Sequence, residues 1–144
     1  MTRRPDAAAR LSDYLIAVHD RRVDWRVWHC LAFASGAVAA VTGAPLWADP
    51  VAIDGGHDAA RRLRAAGFRT VADAVAAVLP EVPRLRAGVG DVVEIVPASG
   101  VGALGIYCGG LVYVCGRGGV GVCGLDRAGR IFGVGEWQRL QSPH

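Results

Sequence analysis

Leu11, Tyr14, Leu15 and Val18 recur at i, i+3, i+4 and i+7, a spacing that lays apolar side chains along one helix face. It predicts a helix from Asp6 to about Arg21. From about Val27 to Thr42 the run is Ala-rich and apolar on every side, which predicts a helix buried all round. Gly43 suits a left-handed cap there, with Pro45 beyond it. Ala44 to Gly56 holds two prolines and Gly55-Gly56 and reads as a loop. A third helix is expected over His57 to Ala66, stopping at Gly67. A fourth is expected over Val71 to Leu79. Thr70 caps it, Asp73 completes a capping-box pattern, and Pro80 ends it.

After Pro80 to Pro83 the period changes. Asp91 to Val96, Ala103 to Cys108, Leu111 to Cys115, Val120 to Leu125 and Arg130 to Val134 are short, rich in Val, Ile and Tyr, and separated by glycine pairs or turns. Gly109-Gly110 is a hairpin signal, and Asp126 to Gly129 reads as another turn. The fold class expected is α+β: a single domain over residues 1–144, with a helical half (6–80) packed on a β half (88–140) that forms a small antiparallel sheet or partial barrel.

Composition narrows the function. The chain is 52% hydrophobic and 20% charged, a globular balance. All 16 basic residues are Arg, in short groups such as Arg21-Arg22 with Arg26 and Arg61-Arg62 with Arg64, as on solvated helix faces. A net charge of +3 is too small to argue for nucleic acid. The charged stretch Met1 to Arg10 leads into no apolar segment of a secretory kind. Val27 to Ala48 could span a bilayer by length, but it is dominated by Ala and Gly and broken by Gly43 and Pro45, so no membrane span is expected.

Candidate chemistry centres on Cys30, in Trp28-His29-Cys30 at the entry to the buried helix. A helix N-terminus favours thiolate over thiol, so Cys30 is a candidate nucleophile; a buried Cys with no function is the competing reading. His29 is adjacent, but consecutive helix residues point about 100° apart. His57 approaches Cys30 only if the Ala44–Gly56 loop folds back. Cys108, Cys115 and Cys123 each precede a glycine; spacings of seven and eight fit no common zinc site, so neither metal nor cofactor is expected. Gly100 to Gly105 and Gly116 to Gly121 both match G-x-G-x-x-G, yet neither is expected to open a helix, as a dinucleotide site requires.

Cys30 in its helix, Gly90-Asp91-Val92-Val93, and Ala103-Leu104-Gly105-Ile106-Tyr107 with Gly109 resemble the papain-like, NlpC-type cell-wall cysteine peptidases. The chain is more similar still to short phage and prophage proteins with that fold. The motifs of that family fall at Trp25 to Trp28, Cys30 to Phe33, Thr42-Gly43, Ala65 to Phe68, Gly90 to Val93 and Leu104 to Ile106. The resemblance covers roughly Trp25 to Val134. It implies an NlpC-type fold with Cys30 at the nucleophile position. Two positions depart from it. Active members carry Asp just before the Cys, where this chain has His29. They also carry His at the start of the strand, where this chain has Ala103.

Three readings follow. The first is a tail-tip or hub-associated component of a phage or gene-transfer-agent-like particle, with degenerate peptidase chemistry and other tail-tip or hub proteins as partners. Its location would be the virion, after synthesis in the bacterial host cytoplasm. The second is an active peptidase on peptidoglycan stem peptides, with His29, His57 or a partner protein supplying the base. The third is a small metal- or ligand-binding module built on Cys108, Cys115 and Cys123.

Overall fold

A computed structural model describes residues 2–47 and 52–135. His144, residues 136–140 at the end of the expected β half, and residues 48–51 of the expected loop lie outside the described residues. The chain runs α1 (Ala7–Val18), α2 (Cys30–Thr42), α3 (Gly55–Ala65), α4 (Val71–Ala76), β1 (Glu81–Val82), β2 (Val92–Ile95), β3 (Ala103–Cys108), β4 (Leu111–Gly116), β5 (Gly119–Gly124) and β6 (Ala128–Phe132). The α+β order expected from the hydrophobic pattern is therefore present, with helices first and sheet second.

The helix signals act locally as the residues dictate. Gly43 adopts φ 92°, and its N–H bonds the Ala39 carbonyl, closing α2. The Thr70 hydroxyl accepts from the Asp73 N–H at 3.2 Å, while the Asp73 carboxylate accepts from the Arg69 N–H at 3.3 Å. α2 starts three residues later than its apolar run suggests. Asp24 and Trp28 pair their backbones in a tight loop, the Asp24 carbonyl accepting from the Trp28 N–H, and this holds Val27 and Trp28 out of the helix.

The sheet has six strands in the order β1-β6-β2-β3-β4-β5, every pairing antiparallel. β2 to β5 form the expected meander. β6 then returns across the sheet to lie between β1 and β2. The pair Glu81↔Phe132 and Val82↔Ile131 makes a strand of a segment expected to be only a joint. The turn expected at Asp126 to Gly129 is a 3-10 turn over Leu125–Arg127, so β6 begins two residues earlier than expected. The sheet stays open rather than closing into a barrel.

Both sheet faces are buried. On one, Val92, Leu104, Ile106 and Phe132 pack with Phe33, Val38 and Val41 of α2 and Leu11 of α1. On the other, Val93, Ile95, Val112, Ala128 and Ile131 form a second cluster without a helix. Two motif glycines are required by close approach. A Cβ on Gly105 would meet Val112 Cγ1 at 2.6 Å and the Tyr113 carbonyl at 2.8 Å. Gly90 has φ +97°, and a Cβ there would meet Val41 Cγ2 at 2.8 Å.

Asp91 follows Gly90 and ties three distant segments together. Its carboxylate accepts from Arg3 Nη2 at 2.8 Å, from the Gly88 N–H at 2.7 Å and from the Val134 N–H at 2.9 Å. Arg3 also donates to the Val89 carbonyl. Both side chains are almost wholly buried. Burial pushes the Asp91 carboxyl up and the Arg3 guanidinium down, and the N–H donors and the ion pair oppose it.

Candidate functional site

The entry to α2 is the best-defined cluster of chemically capable groups. Trp28 is buried and meets Phe33 edge-on at 6.1 Å between ring centroids, with the Arg21 guanidinium 4.1 Å above its ring. Trp25 is partly exposed and stacks on His29 at 6.2 Å. His29 is extended (φ −152°, ψ −179°) and caps the helix: its Nδ1 accepts the Ala32 N–H at 3.3 Å. A ring nitrogen that accepts is unprotonated, so its lone pair serves the helix. It cannot at the same time take a proton from Cys30.

Cys30 is the first residue of α2. It lies close to the backbone of Leu104, the second residue of β3, on which α2 packs. The residue that heads β3 is Ala103, and it is exposed. The expected activation of the thiol is reversed. Burial raises the Cys30 pKa, and the backbone contacts to Leu104, Leu31 and Cys30 itself only oppose that rise. The helix-terminus effect is worth about 1 kcal/mol near an exposed end, whereas removing an anion from water costs several times more. Burial therefore works against the Cys30 thiolate.

His57 lies exposed on α3. The structure packs the start of α2 on β3, engages His29 Nδ1 in the cap of α2, and places His57 on the exposed side of α3.

The other cysteines divide between the two sheet faces. Cys108 and Cys115 pack on the helix-facing cluster, and Cys123 packs on the opposite one. They do not converge on one metal ion, so the metal site of the third reading is not formed among the described residues. Burial raises Cys108 to about 11 and Cys115 to about 12, with the nearby Cys30 adding to the latter. The two G-x-G-x-x-G matches fall in the loop into β3 and in the β4–β5 hairpin, so neither opens a helix.

One feature was not legible in the pattern, and a second was legible only in part. A cavity of about 300 Å³ lies beside the α2 entry, walled mainly by His29, Leu31, Trp47, Leu63 and Phe68, and Cys30 does not line it. Asp58, at the start of α3, takes the Asp54 N–H at 3.0 Å and the Arg62 Nε at 2.8 Å, with Arg61 on its second oxygen. Its capping role was readable from its position in the first turn. Its two arginine partners were readable only from their i+3 and i+4 spacing. Among the described residues no helix is long and apolar enough to cross a membrane.

A family model described as a domain of unknown function, DUF6950, matches residues 2–134. No curated protein matches the chain.

Proposed function

Taking as premise that the chain belongs to the DUF6950 family of domains of unknown function, we propose that it is a catalytically silent NlpC-type module. It would serve as a structural component of a phage or gene-transfer-agent-like tail tip, docked on tail-hub proteins. One observation supports the silent reading above the rest. The strand that would deliver a base to Cys30 begins with Ala103, and the surroundings of Cys30 disfavour its thiolate. A methyl group neither takes the proton nor returns it to a leaving amine. Loss of a triad base typically costs several orders of magnitude in rate. The tail placement is supported by the similarity of the Cys30, Gly90–Val93 and Leu104–Ile106 motifs to short phage proteins.

The test has two arms. Purified protein incubated with peptidoglycan stem peptides should release no product above a Cys30→Ser control. Cleavage that the control abolishes would overturn the silent reading. Particles induced from the host and purified should contain the chain in tail fractions by mass spectrometry. Its absence from particles would overturn the tail placement and leave the first arm standing.

A further inference from the structure

Two sulfurs converge on one residue. Cys30, at the first turn of α2, lies close to the backbone of Leu104, and α2 packs on β3. β3 and β4 pair antiparallel with Gly105 opposite Val114. One further step in that register sets Leu104 opposite Cys115. Residues directly opposed across antiparallel strands share a face, with Cβ atoms roughly 4.5–5.5 Å apart. Leu104 belongs to the helix-facing cluster, and Cys30 and Cys115 both pack against that cluster. α2 and β4 are in direct contact. Of the remaining thiols, Cys108 lies at the far end of β3 and Cys123 on the other sheet face.

We propose that Cys30 and Cys115 form a dithiol site that closes to an intramolecular disulfide, pinning the entry of α2 to β4. Both S–H bonds break and one S–S bond forms. The two electrons and two protons pass to a small-molecule disulfide of the glutathione type, which is reduced to two thiols. The site gives Cys30 a chemistry that needs neither a histidine nor a bound peptide, and it does not depend on the tail placement. Burial keeps both sulfurs in the thiol form, which places exchange at the slow end of the usual range, on the order of hours.

The test uses the folded full chain and oxidised glutathione. After overnight incubation at pH 8, the protein is denatured, alkylated and mapped by mass spectrometry without reduction. The expected product carries two alkylated cysteines, Cys108 and Cys123, and one cross-linked peptide pair containing Cys30 and Cys115. The Cys108→Ser/Cys123→Ser variant keeps only the proposed pair and should give the same cross-link. Its oxidised form should melt on the order of 10 °C above its reduced form, because the bridge closes a loop of about 85 residues. Four free thiols after incubation, a glutathione adduct on Cys30 with Cys115 still free, or a bridge to Cys108 or Cys123 would each overturn the proposal.

Discussion

The Cys30 sulfur meets the backbone of Leu104, one residue past Ala103. Position 103, at the exposed head of β3, is where the resemblance would place a base for that thiol. Ala103→His is therefore expected to lower the thiol pKa and speed alkylation of Cys30 by iodoacetamide at pH 7 by roughly tenfold or more. Wild-type Cys30 should react more slowly than a free cysteine of a model peptide. Equal rates in wild type and Ala103→His, followed site by site by mass spectrometry, would show that the head of β3 does not face the sulfur.

His29 separates capping from catalysis. Its Nδ1 accepts the Ala32 N–H, so His29→Ala should cost about 1 kcal/mol in denaturant unfolding, the usual cost of a lost cap. His29→Asn, which can accept the same N–H, should recover most of that. The Cys30 alkylation rate in His29→Asn should stay within about twofold of wild type, because the ring does not serve the sulfur. A large fall in that rate with the fold intact would restore His29 as the base.

How much of this was legible in the sequence depended on how local each cause is. Gly43, Thr70 and Asp58 act on their own helix ends, and their roles follow from position alone. β6 did not follow, because its place between β1 and β2 depends on Ile131 and Phe132 meeting Val82 and Val92 across the fold. Cys30 failed for a different reason. The helix end that favours a thiolate could be read from the chain, but the burial that outweighs it comes from Leu104 and the core, which only the folded molecule brings together. Arg3 looked like one more charge in a basic N-terminus until Asp91 met it from the other end of the chain.

That buried pair should reveal itself by the order of its variants. Asp91→Ala removes the acceptor of Arg3 Nη2, of the Gly88 N–H and of the Val134 N–H, whereas Arg3→Ala removes one donor from the carboxylate and one from the Val89 carbonyl. Breaking a buried pair from one side costs about 3–5 kcal/mol, and Asp91→Ala should lie at the upper end. Urea unfolding of both variants would read this directly. A smaller loss for Asp91→Ala than for Arg3→Ala would contradict the hydrogen-bond pattern.

Gly105→Ala tests why β3 carries a glycine between Leu104 and Ile106. The added methyl has no room against Val112 and the Tyr113 carbonyl, and a backbone atom cannot rotate aside. The expected cost is about 1–3 kcal/mol, as for other overpacked sites. Gly110→Ala, whose added carbon meets nothing within 4 Å, is the control and should change little.

Asp58 offers a test by pH. The Asp54 N–H and the Arg62 and Arg61 guanidiniums hold its carboxyl well below the usual carboxylate range. A folded-state pKa below the unfolded one adds stability that is fully present above the unfolded value, about 3.9, and is lost as pH falls through and below it. The melting temperature of Asp58→Asn should therefore sit below wild type by a constant margin from pH 5 to 8. Below pH 4 the margin should narrow, and at pH 2 it should still be narrowing, because the folded carboxylate resists protonation. Both arginines are largely exposed, so added salt should shrink the margin at pH 7 as well. A margin that held constant from pH 7 down to pH 2 would mean that neither the Asp54 N–H nor the arginines favour the charged carboxylate in the folded chain.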